Sequence, residues 1–134
     1  DFIDPRRYYS GVGGQPDFIR ALNDRGFGTP IIAMKSLTGK GESKITKMHP
    51  AGISLTASAY DGVVIVTEYG FADLRELTAG EKAIAIASIA HPKFRDEFLR
   101  SVYEDPLFTK NIGSYLDKKP LGVKFYDGNI KLER

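Results

Sequence analysis

Apolar and polar positions follow two rhythms along this chain, and the rhythm changes at glycines and prolines. Residues 16–23 (PDFIRALN) put Phe18, Ile19 and Leu22 on one helical face. Pro16 suits the first turn of such a helix, where its missing N–H costs nothing. Glycines within 25–29 (RGFGT) stop it. Residues 30–34 (PIIAM) are a continuous apolar run and predict a strand buried on both faces. Lys44 to Met48 alternates and predicts a strand nearer the surface, with a further extended piece over 53–56. The strongest strand signal is 63–66 (VVIV), β-branched throughout and directly after the turn pair Asp61-Gly62.

Helical spacing then takes over. Residues 78–90 (TAGEKAIAIASIA) carry Thr78 as N-cap with Glu81 three positions on, the spacing of a capping box. Residues 92–103 (PKFRDEFLRSVY) gather Phe94, Phe98, Leu99 and Val102 on one face. The tail, 121–132, alternates around Asp127-Gly128 and predicts a hairpin. Strands interleaved with helices predict an α/β domain, an open, mainly parallel sheet with flanking helices.

Composition narrows the chemistry more than the fold. With 134 residues the chain has the length of one ordinary domain. Its 19 Lys+Arg against 17 Asp+Glu leave a charge of +2, too balanced for a nucleic-acid surface. Zero cysteines exclude disulfides, thiolate zinc sites, iron–sulfur clusters and a cysteine nucleophile. No apolar run approaches the ~18–20 residues of a membrane span, and the first residues do not read as a signal peptide. His49 and His91 each precede a proline, and neither has a carboxylate at ligand spacing, so no metal site is expected. The stretch 52–56 (GISLT) lacks the last glycine of a serine-hydrolase elbow.

Three stretches remain as candidate chemistry. Residues 10–15 (SGVGGQ) lead into the first helix, so Gly13 and Gly14 either let a ligand approach the backbone or form a plain turn. Residues 36–43 (SLTGKGES) set Lys40 between two glycines, either facing an anion or merely solvated. This is no phosphate loop, since Met34 stands where its first glycine belongs and Gly41 where it needs Ser or Thr. Glu68 and Tyr69 follow the VVIV strand directly. Ligands bind beyond the carboxyl ends of parallel strands, so Glu68 is either a site carboxylate or a local cap or ion-pair partner.

Taken in order, YSGVGGQPDF at 9–18, SLTGKGESKI at 36–45, VVIVTEYGFADLR at 63–75 and AIASIAHPKFRDEF at 85–98 resemble the C-terminal domain of the acetyl-CoA hydrolase/transferase family. That family includes acetate, 4-hydroxybutyrate and succinyl CoA-transferases, and the resemblance runs over about residues 8–100. It implies a CoA-transferase fold, coenzyme A as substrate, a small carboxylate as its second partner, and a cytoplasmic location. It leaves room for a homo-oligomer and gives no role to nucleic acid, membrane or metal. The chemistry it implies is a double displacement through a glutamyl-CoA thioester. On this resemblance the Gly14 amide would lie near the thioester, Gly13 and Lys40 would help hold CoA, and Glu68 would support catalysis without being the nucleophile. Gln15 and Tyr69 are neighbours in the same motifs.

The family's nucleophilic glutamate lies upstream of the glycine loop, whereas residues 1–10 here contain no glutamate. The resemblance therefore implies the C-terminal part of a two-domain enzyme, with the N-terminal domain outside this chain and little turnover by the fragment alone. An acyl-CoA hydrolase using water as acceptor is the nearest alternative, and a non-catalytic CoA-binding domain the next. A sugar-phosphate isomerase relative would need an acid/base pair that the sequence does not offer.

Overall fold

A computed structural model describes residues 2–4, 7–8, 13–26, 28–48, 57–58, 61–106 and 122–126. The chain opens with a small antiparallel pair, β1 (Phe2–Asp4) and β2 (Arg7–Tyr8). The first helix, α1 (Gln15–Arg25), runs from its N-cap Gly14 to Gly26, which closes it in the left-handed conformation at φ 62°. Asp17 in its first turn and Arg25 in its last oppose the helix dipole favourably.

Four strands form the main sheet in the order β3 (Ile31–Ala33), β4 (Val64–Thr67), β5 (Gly70–Asp73) and β6 (Val123–Phe125). β3 and β4 are parallel, with Ile31 opposite Val64 and Ala33 opposite Val66. The expectation of a mainly parallel sheet needs correction here. β4–β5 and β5–β6 are both antiparallel, so the described sheet is mixed. The reason is local. Only Glu68 and Tyr69 separate the Thr67–Gly70 pair, and a two-residue connection can join strands only antiparallel. Gly70 is required by packing, because a Cβ there would collide with the Lys124 carbonyl of β6.

Helix α2 (Ala79–Ser88) packs against β5, and α3 (Pro92–Tyr103) packs against α2. In α2, Thr78 and Glu81 form the expected capping box, and Ile84, Ala85 and Ala87 are buried. α3 begins at His91, whose ring Nδ1 accepts from the Lys93 backbone N–H at 3.2 Å. Ala72, Ala85 and Ala90 are fully buried, so small side chains let the α2 layer approach β5 closely. Ile19, Ile45, Val63, Leu74 and Ile89 complete the core. No buried side-chain polar atom lacks a hydrogen-bond partner among the described residues.

Two further expectations are revised. β3 is an edge of the described sheet, with Ile31 60% exposed, so its apolar run does not mark a strand buried on both faces. Lys44 to Met48 joins no ladder among the described residues. There, the Ser43 hydroxyl donates to the Ile45 carbonyl and the Thr46 hydroxyl to the Met48 carbonyl, local bonds that compete with strand pairing. Val123–Phe125 is a strand paired with β5, while the remainder of the expected tail hairpin, like the extended piece at 53–56, lies outside the described residues.

Candidate active site

Because β3 and β4 are parallel, both carboxyl ends open at the same edge of the sheet. A cavity of about 550 Å³ lies there, lined by Ala33, Met34, Lys35, Val66, Thr67, Glu68 and Tyr126. The Met34 N–H donates to the Val66 carbonyl at 2.9 Å, carrying the pairing one residue beyond the ladder and fixing the relative height of the two strand ends. This is the place where open α/β sheets bind ligands.

Glu68 stands at the mouth of the cavity, and one residue holds both its oxygens. The Ser36 backbone N–H donates to Oε2 at 2.8 Å, and the Ser36 hydroxyl donates to Oε1 at 2.7 Å. Ser36 is fully buried whereas the glutamate is exposed, so the clasp reaches from the interior out to the carboxylate. Partial desolvation pushes the Glu68 carboxyl up. The bonds from the Ser36 hydroxyl, from Glu68's own amide and from the Ser36 amide, with the nearby His91, outweigh it and hold the carboxyl below its ordinary range. Glu68 is therefore a fixed, ionised acceptor at neutral pH.

The turn that carries Glu68 is pinned from behind. The buried Thr67 hydroxyl accepts from the Tyr69 N–H at 3.2 Å and donates to the Ile89 carbonyl at 2.8 Å. The Tyr69 ring meets the His91 ring edge-on at 5.5 Å. Arg95 lies 5.5 Å from the Tyr69 ring centre and 5.6 Å from that of Phe125, while its guanidinium donates to the Ala90 carbonyl. Strand ends, the α2–α3 junction and β6 thus all fix the Glu68–Tyr69 turn.

Lys40 sits at the exposed tip of a closed loop over residues 36–44. Leu37 bridges Ser43, the Thr38 N–H donates to the Glu42 carbonyl at 2.8 Å, and the Lys44 N–H donates to the Ser36 carbonyl at 2.8 Å. The Thr38 hydroxyl accepts from the backbone N–H groups of both Lys40 and Glu42. Among the described residues Lys40 forms no ion pair, so its ammonium is available to an anion.

Gly13 and Gly14 differ in what they require. Gly13 has φ +76°, a conformation that favours glycine, whereas Gly14 has φ −88°. A Cβ on Gly14 would only touch the Phe18 ring at 3.7 Å. Nothing among the described residues demands glycine at that position. Gly14 and Gln15 line a separate cleft with Phe18, Leu22, Pro30 and Ile31. The structure therefore brings Glu68 together with Ser36, but Gly14 opens on a different cleft and Lys40 on neither. His49 lies outside the described residues, and no cluster of three or more metal-ligating side chains occurs among those described.

The acetyl-CoA hydrolase/transferase C-terminal domain matches residues 2–102, all four stretches of the resemblance included. The chain belongs to that family. It is 46% identical over 91 residues to the 4-hydroxybutyrate coenzyme A transferase of Clostridium kluyveri, covering 67% of this chain and 21% of that protein. It is 42% identical over 90 residues to the succinyl-CoA:cyclohexane-1-carboxylate CoA transferase of Geobacter metallireducens, covering 66% and 21%. The crystal structure of RipA from Yersinia pestis superposes with a TM-score of 0.56 at 36% identity, over 69% of this chain and 20% of that one. This family domain thus spans about one fifth of the length of the curated relatives it matches.

Sequence reasoning reached Glu68 through the strand-end rule but did not single out Ser36, Lys35 or Tyr126. Ser36 lies two residues beyond the PIIAM run, so the same rule applied to β3 would have flagged it.

Proposed function

We propose that this chain is the C-terminal domain of a CoA-transferase that moves CoA between an acyl-CoA and a small carboxylic acid in the cytoplasm. The observation that carries the reading is the clasped, ionised Glu68 at the carboxyl ends of parallel β3 and β4, inside a stretch matched by the family. Two relatives that are themselves CoA transferases support it.

In the proposed reaction a carboxylate from the remainder of the enzyme attacks the thioester carbonyl. The C–S bond breaks, CoA leaves as thiolate, and an acyl anhydride forms. The thiolate then attacks the enzyme's acyl carbon, releasing the donor acid and leaving an enzyme–CoA thioester. An incoming carboxylate reverses both steps and departs as the new acyl-CoA. Covalent catalysis of this kind splits one hard step into easier ones.

The residues of this domain serve that sequence without forming the covalent bonds. Ionised Glu68 cannot donate a proton at neutral pH, so its role is to orient a donor-bearing group or repel a misplaced carboxylate. Gly14, with no side chain and at a helix start, offers its backbone to the thioester end of the substrate. Gly13 supplies the turn that presents it. Lys40, exposed and without an ion pair among the described residues, suits the phosphorylated end of CoA.

The test is CoA transfer by the full-length polypeptide from acetyl-CoA to a panel of carboxylates. Acceptor-dependent transfer supports the proposal. Free CoA released at a rate indifferent to acceptor would make the enzyme an acyl-CoA hydrolase, and CoA binding without turnover would leave it a binding module.

A further inference from the structure

Ser36 has no role in the reaction just proposed, yet among the described residues it is the one that touches both the carboxylate and the Lys40 loop. Its N–H and hydroxyl hold the two oxygens of Glu68, 32 positions away in sequence. Its carbonyl accepts the Lys44 N–H, the bond that closes the 36–44 loop at its base. The residue is fully buried, and both ends of its peptide unit are committed.

We propose that Ser36 is a positioning residue, coupling the loop that carries Lys40 to the orientation of Glu68. The inference rests on the reading of Glu68 as a site carboxylate. A ligand drawn to the loop tip bears on the segment whose base grips the carboxylate. Loss of that grip frees the Glu68 side chain to sample other rotamers. The remaining groups around Glu68 are His91 at the start of α3, Tyr69 beside it in the turn, and Lys35 and Tyr126 on the cavity wall. Replacing Ser36 alters none of them.

The experiment compares Ser36→Ala, Glu68→Gln and the double variant in the full-length polypeptide, by kcat, KM and pH profile. Ser36→Ala removes a hydrogen bond to an ionised group, and kcat is expected to fall about tenfold. The acid limb of kcat/KM is expected to move upward, because the carboxylate loses a bond that favours its charged form. In the Glu68→Gln background, Ser36→Ala should lower kcat no further. Ser36→Cys, close in size with a weaker donor, should lie between wild type and alanine and serves if the alanine variant fails to fold. Wild-type kcat and an unmoved acid limb in Ser36→Ala, with Glu68→Gln impaired, would overturn the role of Ser36 alone. Wild-type turnover in Glu68→Gln would instead overturn the underlying reading of Glu68.

Discussion

The Thr67 hydroxyl, buried at the end of β4, donates a 2.8 Å hydrogen bond to the carbonyl of Ile89 just past the end of α2. It joins the strand that delivers Glu68 to the helix that backs it. Thr67→Val keeps the shape but leaves that carbonyl without its donor and the Tyr69 N–H without its acceptor. The expected cost is about 1–3 kcal/mol of stability. Thermal or denaturant unfolding of the variant checks this, and an unchanged midpoint would mean the bond is replaced by water.

Gly13 and Gly14 should respond differently to alanine. Gly13→Ala forces a side chain into positive φ, at a cost of roughly 1–2 kcal/mol, and lowers Tm. Gly14→Ala meets only an ordinary contact with Phe18, so Tm should hold while kcat/KM for acyl-CoA falls. Measuring Tm and kcat/KM on both variants separates the backbone requirement from the ligand requirement.

Lys40→Ala should raise KM for acyl-CoA about tenfold, the worth of one charge-assisted contact, without a change in Tm. An unchanged KM would show Lys40 to be a solvated surface lysine.

Acid should unfold the domain by a specific route. The Asp61 carboxyl is held below its ordinary range first by the Ser58 backbone N–H, and Asp73 first by the Arg75 side chain. Glu68 is depressed as well. With folded values below unfolded ones, the unfolded chain binds more protons in this window. The stabilisation is fully present above the ordinary carboxylate value of about 4 and is lost as pH falls through the depressed folded values. Asp61→Asn should flatten the acid-induced fall in stability, read by denaturant melts across pH.

Much of the fold is legible locally. VVIV declares a strand because its β-branched run needs no partner to be recognised, and Thr78–Glu81 declares a helix start because the box closes within one turn. β5 is not legible in GFAD. Its existence depends on the two-residue turn before it and on the close approach of β6 to Gly70. The exposure of Ile31 is equally hidden, since burial depends on what lies across an edge. Within the site, Glu68 is found by its place after a strand. Ser36 escapes notice because its function arises only when parallel pairing aligns the ends of β3 and β4.

The most direct test of the central claim is CoA transfer from acetyl-CoA to a carboxylate acceptor by the full-length polypeptide, measured for wild type and Glu68→Gln. Transfer that requires the acceptor, with kcat reduced at least tenfold by Glu68→Gln, is the predicted result. Acceptor-independent CoA release, or undiminished transfer by Glu68→Gln, would contradict it.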